Sequence, residues 1–367
     1  MRTLDQILTK KDYSRKTPAS LFYKDSPLWQ KLLTIGCVVF LAGAGLGEWK
    51  PINSAVGGLP KAISLGVIGL AMLYTLFYPD EKRLRELWKP TLLYMSLMAA
   101  LFFWSMVIWI KNFATVSSMI RSCSKLVFQS IAILTAVALV YLFREKAIEL
   151  FTISICIANT AIMLLSIPGY GFAASIQSLV TCLITFGDAD GYALQLEIHD
   201  LTFVFGQMIL YYAVFAPRTT RQEKRKRWLY LLLCCWFFLV GMKRIAIPAV
   251  VLFVLIALLL RKRKVPGWFY PAVGVCCILF FLAFLYCVRY GVISRLLNSF
   301  GIDMMGRDYL WSMANPYYEF SITYIGRGFE YVDNIIAQWY NDGLINQPYP
   351  FHNDILQVFV EVVFPGF

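Results

Sequence analysis

The chain has only two histidines among its 367 residues. One of them, His352, stands at the threshold of an apolar run in "PFHNDILQVFVEVVFPGF". An imidazole titrates near neutral pH, which suits it to accept a proton from a reacting hydroxyl. Asn353 gives it a polar neighbour, and Asp354 puts a carboxylate in the first turn, where a helix dipole favours negative charge. A helix-end histidine can equally do no more than satisfy a carbonyl, and spacing leaves both readings open. Four basic residues complete the set: Lys243 and Arg244 in "VGMKRIAIP", Arg307 in "MGRDYLWS" and Arg327 in "YIGRGFEY". Taken singly, each reads as a long side chain snorkelling from a helix end to the headgroups. Taken together, Arg244, Arg307 and His352 read as one anion site, because the planar guanidinium fork binds phosphate oxygens in a bidentate manner.

The elements that must hold these residues are membrane helices. Hydrophobic residues make up 59% of the chain and charged ones 15%, against about 25% charged in a soluble domain. Apolar runs approach the roughly 20 residues a helix needs to cross a bilayer. We expect an all-α polytopic membrane protein with spans near 32–48, 60–78, 91–110, 125–143, 148–167, 201–216, 228–242, 245–260 and 268–288, and an opening tenth at 352. The apolar stretch 172–187 is short and glycine-bounded, and reads as re-entrant or interfacial. The first 27 residues lack the apolar core and cleavage site of a signal peptide.

Lys and Arg in the connections set the orientation. With the N-terminus inside, "RTLDQILTKKDYSRK", "DEKRLRELWK", "REK", "RTTRQEKRKR" and "RKRK" all fall on the inner side. The formal charge of +12 is thus spent on topology, and no nucleic-acid partner is expected. The division is a cytoplasmic segment 1–31, a helical bundle 32–290, a large extracytoplasmic loop 291–351, and the start of a further span at 352–367. Those last 16 residues rise about 24 Å at 1.5 Å each, short of the roughly 30 Å hydrocarbon core, so the chain is expected to continue. The five candidate residues of the first unit of chemistry, Lys243, Arg244, Arg307, Arg327 and His352, all fall on the outer side, where basic residues are otherwise sparse. Nine cysteines are scattered without CxxC or a Cys/His cluster, so no metal site is expected.

In this order the motifs resemble the O-antigen ligase and polymerase superfamily. "HNDILQVFVEVVFPG" is similar to its signature, with His352, Asn353, Leu356, Glu361 and Gly366 at matching positions. "GRDYLW" and "YIGRGF" resemble its glycine-arginine motif and the glycine-rich turn of its external loop, and "GMKRIAIPAVVLFVLIALL" its arginine motif at the head of a helix. The resemblance covers roughly residues 225–367. Val363 replaces a glycine of the family, and on a continuous helix would lie about 20° from His352 at 100° per residue. Lys243 replaces the family's serine before the arginine. Glu361, about 180° from His352 on the same wheel, is expected to serve packing or a second site rather than the base.

The resemblance implies glycosyl transfer on the outer face of the cytoplasmic membrane, from a glycan on polyprenyl pyrophosphate to a hydroxyl of a glycan or lipid acceptor. His352, Arg307 and Arg244 would be catalytic; Arg327, Lys243 and Asn353 would bind substrate. No cofactor is implied, and the external loop has no DxD-like carboxylate pair. Membrane lipids and proteins of polysaccharide export or chain-length control are the implied partners. A ligase attaching a finished glycan to lipid or protein shares the motifs. A polysaccharide or solute transporter is the reading from another class, with Pro248 inside the eighth span as its hint.

Overall fold

The computed structural model describes residues 27–47, 49–56, 62–112, 115–185, 199–241, 246–261, 265–301, 304, 306–321, 323–348, 351 and 353–363. Among them there are helices and no strands. In chain order these are α1 Leu28–Leu46, α2 Lys50–Val56, α3 Leu65–Phe77, α4 Glu81–Lys111, α5 Val116–Phe143, α6 Lys146–Tyr170, α7 Phe172–Thr185 and α8 His199–Leu210. A π-helical turn, Tyr211–Phe215, extends α8. Then come α9 Arg221–Val240, α10 Ala246–Leu260, α11 Phe269–Arg289, α12 Val292–Ser299, α13 Arg307–Ala314, α14 Tyr331–Asn341 and α15 Asp354–Val362. Five of them, α1, α4, α5, α6 and α11, are long and apolar enough to cross a membrane. The protein is an all-α polytopic membrane protein.

Two of the expected connections are helical instead. "DEKRLRELWK" forms the first turns of α4, with Glu81 at its start. "RQEKRKR" opens α9 behind a capping box, in which Thr220 Oγ1 accepts from Glu223 N and the Glu223 carboxylate accepts from Thr220 N. Reciprocal capping satisfies amides that the helix start leaves unpaired, so polar residues extend the helix beyond its apolar part. Pro248 lies in the first turn of α10, where a missing N–H breaks no helical bond. The stretch read as re-entrant or interfacial is α7, a helix of 14 residues.

The chain divides into two compact units whose boundaries fall inside α4, inside α5 and between α10 and α11. In the first unit, one apolar cluster joins α1, α3, the end of α5 and the start of α6, around Cys37, Val67, Leu142 and Leu150. A second joins α6, α8 and α9 around Ile162, Phe205, Cys234 and Phe237. In the second unit, one cluster gathers Leu285 of α11, Leu310 and Trp311 of α13, Ile336 and Trp339 of α14, and Leu356, Phe359 and Val360 of α15. Among its described residues the stretch 291–351 carries three α-helices, and two of them, α13 and α14, bury apolar faces against α15. Each fully buried Leu, Val or Phe contributes roughly 1.5–3 kcal/mol, so this packing fixes the loop's course.

Candidate active site

Of the six candidate residues, three can be placed: Arg307, Arg327 and Asn353. His352, Lys243 and Arg244 lie outside the described residues, as does Gly366.

Arg307 is the first residue of α13, half-buried, behind Gly306 in the left-handed region at φ 75°. Its backbone N–H donates to Met304 O. Four residues on, Trp311 stands on the same helix face, since residues four apart are neighbours on the helix surface. The Trp311 Nε1–H donates to the carbonyl oxygen of Phe351 at 3.1 Å, and both residues are buried. The helix that begins at Arg307 is thereby fastened to the segment that leads into α15.

Asn353 is the N-cap of α15: its Oδ1 accepts from Leu356 N at 3.0 Å. Capping of this kind stabilises a helix by ~1 kcal/mol. The other half of the amide, Nδ2, is buried and has no hydrogen-bond partner among the described residues.

Arg327 sits in a turn docked on the far end of α15. Arg327 N donates to Val360 O at 3.0 Å, and Gly328 N to Glu361 O at 2.8 Å. Tyr324 Oη donates to Val360 O at 2.7 Å. The last carbonyls of a helix have no partners within it, and here the glycine-arginine turn supplies them. The two glycines are required by space as well as by φ. Gly326 has φ 96° and Gly328 φ 107°; a methyl group would strike the Glu361 carbonyl at the first and the Trp109 indole at the second. The Arg327 guanidinium is aimed by Nε, which donates to Tyr317 O at 3.0 Å. The turn is held from the other side by Asn112 Nδ2, donating to Gly326 O at 3.1 Å, and by Ser122 Oγ, donating to Phe329 O at 2.8 Å.

Two acidic residues anchor the same turn. Glu361 is 2% exposed. Its Oε1 accepts from Val332 N at 3.1 Å and from Gln357 Nε2 at 3.3 Å. This agrees with the packing role expected for it: its carboxylate serves the start of α14. Glu330, buried and at φ 67°, caps α14 and pairs with Lys125, which also holds Asp333 at 2.8 Å. Burial pushes the Glu330 carboxyl up, and Lys125 pulls it part of the way back.

Arg307 and Arg327 are thus fastened to opposite ends of one helix, the first beside Phe351 and the second beside Val360. Seven residues between Asn353 and Val360 amount to about 10 Å of helix, which separates the two points of attachment. Val363 lies off the helical wheel drawn from sequence, because α15 ends at Val362. At φ 56°, ψ −154°, Val363 occupies backbone space populated essentially by glycine.

Sequence reasoning missed Trp311 and the Lys125–Glu330 pair. It also passed over Arg289, whose Nη1 donates to Tyr318 O at 2.8 Å while its guanidinium lies 4.9 Å from the Tyr318 ring centroid. At the last turn of a span, that arginine looks like any snorkelling side chain. Among the described residues, no three His, Cys, Asp or Glu side chains gather to hold a metal ion.

Residues 229–367 match the family model described as O-antigen ligase. No curated protein and no solved structure matches the chain.

Proposed function

We propose that the protein transfers or polymerises polyprenyl-pyrophosphate-linked glycan units on the outer face of the cytoplasmic membrane, with its N-terminus inside. The observation that supports this reading best is the hydrogen bond from Trp311 to Phe351, which ties the helix of Arg307 to the residue before His352. In this reading the acceptor hydroxyl oxygen attacks the anomeric carbon. The bond from that carbon to the pyrophosphate oxygen breaks, and its electron pair stays on the leaving pyrophosphate. The acceptor's proton passes to His352. Arg307 and Arg244 take up the charge that develops on the leaving group, a role that fixed cations perform best where water is excluded. Arg327, Lys243 and Asn353 hold the donor, the last through its unsatisfied amide.

The test is replacement of Arg307, Arg244 and His352 by alanine, one at a time, in the complete protein. Each variant should insert normally, lose glycan transfer and cause lipid-linked glycan to accumulate. Full transfer by all three overturns the proposal. A ladder of extended products marks a polymerase, and a single transfer marks a ligase.

A further inference from the structure

In the second unit, α11 is long and apolar enough to cross a membrane, and it ends at Arg289. Only Tyr290 and Gly291 separate it from α12, which begins at Val292. Gly291 takes the left-handed region at φ 63°, so the chain leaves the axis of the span there instead of continuing along it. Two bonds fasten the corner: Gly291 N donates to Val288 O at 3.1 Å, and Arg295 Nη2 donates back to Tyr290 O at 3.2 Å.

At 100° per residue, α12 and the Phe300 that caps it divide into two arcs. Val292, Leu296, Phe300, Ile293 and Leu297 follow one another around an apolar arc of about 140°, and Ser294, Asn298, Arg295 and Ser299 fill the opposite one. The apolar arc has two edges with different surroundings. Ile293 and Leu297 pack against the cluster that also holds Leu310, Trp311 and Leu356. Val292, Leu296 and Phe300 face outward, 39%, 55% and 72% exposed. At the end of α11, Tyr286 and Tyr290 are exposed as well, with ring centroids 4.5 Å apart.

A row of three large apolar side chains is costly to leave in water, and this row begins where an apolar span stops. Tyrosines collect at that depth because their rings have an apolar body and a polar edge. A helix with one apolar and one polar face lies flat there, with its apolar face sunk about 5–10 Å into the boundary of headgroups and acyl chains. We infer that α12 lies in the membrane–water interface at the end of α11. Val292, Leu296 and Phe300 rest among the upper acyl carbons of phospholipids, and Arg295 and Asn298 face headgroups and water. The first helix after the span is then a membrane-seated strut rather than part of a free external loop. Because α12 and α13 share one apolar cluster, the strut also holds Arg307, at the start of α13, near headgroup depth. There it would meet the pyrophosphate of a lipid-linked donor, a consequence that alone rests on the function proposed above.

Photo-crosslinking of the full chain in phosphatidylcholine nanodiscs tests this. Benzoylphenylalanine is placed, one position at a time, instead of Leu296 or Phe300 on the outward row and instead of Arg295 or Asn298 on the polar arc. All four positions are exposed, and the benzophenone inserts into C–H bonds but not into water. Phe280, 62% exposed within the span, gives the yield for full contact with lipid. Phospholipid adducts, counted by mass spectrometry of the intact chain, should form at the Leu296 and Phe300 positions severalfold more than at Arg295 and Asn298, and approach the Phe280 yield. Equal yields on the two arcs, or adducts at Phe280 alone, overturn the inference. Crosslinks from the Leu296 and Phe300 positions to a second copy or to another segment of the chain overturn the lipid assignment in favour of a protein interface. Either result leaves the transfer reaction standing, since the alanine variants of Arg307, Arg244 and His352 decide it separately.

Discussion

The indole nitrogen of Trp311 donates to the main-chain oxygen of Phe351 across 3.1 Å, joining two motifs that lie 40 residues apart. Trp311 is itself only 9% exposed, so water does not replace the bond when it is lost. Trp311→Phe keeps most of the ring and removes the donor, leaving a buried carbonyl without its partner. The expected cost is about 1–3 kcal/mol of stability, read as a lower unfolding midpoint in detergent. Glycan transfer should fall at least tenfold in membranes carrying equal amounts of protein.

Replacing the glycines of the docked turn separates the two reasons for their presence. Gly326→Ala and Gly328→Ala meet both a positive φ and a collision, with the Glu361 carbonyl and the Trp109 ring respectively. Gly343→Ala meets only φ 72°, with open space around it. The last should cost about 1 kcal/mol. The first two should each cost about 2–4 kcal/mol, since overpacking adds to backbone strain. Chemical unfolding of the three variants under one condition makes the comparison.

Glu330 gives the fold a dependence on pH with a definite sign. Its carboxyl is raised in the folded protein by burial, with Lys125 opposing and Asp333 adding repulsion. In the unfolded chain it titrates near ~4.3. Its contribution is complete below that value and is lost as pH rises through the higher folded value. Glu330→Gln forfeits the charged pair with Lys125 but escapes this loss. The variant's deficit in unfolding temperature should therefore shrink between about pH 4 and about pH 7. A deficit that grows with pH would mean that the ionised pair dominates.

Val363 sets two effects against each other. Its backbone conformation costs about 1–3 kcal/mol for a non-glycine residue, while its side chain, 5% exposed in the cluster around α15, stabilises by roughly 1.5–3 kcal/mol. Val363→Gly relieves the first and forfeits the second, and should fall within about 1 kcal/mol of the parent. Val363→Ala keeps much of the strain and loses most of the packing, and should be the less stable of the two in thermal unfolding.

What the sequence disclosed follows from what repeats in it. Apolar runs repeat, so the spans of α1, α6 and α11 could be read within a few residues, as could the end of α5, which begins nine residues before the expected start at 125. The starts of α4 and α9 could not, because their charged residues look like a connection and the capping box of Thr220 and Glu223 is a local device. Arg307, Arg327 and Asn353 were legible as residue types in recognisable motifs. Their fastenings were not: Trp311 to Phe351, Glu361 to Val332 and Lys125 to Glu330 join positions 40, 29 and 205 residues apart. No spacing rule spans such separations. Val363 was misjudged for a related reason, since a helical wheel presumes that the helix continues.

The turn from Tyr324 to Glu330 is gripped chiefly by main-chain atoms: Gly326 O has its partner in Asn112, just past the end of α4, and Arg327 N, Gly328 N and Phe329 O have theirs in α15 or α5. A grip of that kind reads length rather than lettering. Ile325 can change its side chain without loosening any of those bonds, but a single inserted or deleted residue would shift the arginine out of step with its anchorage.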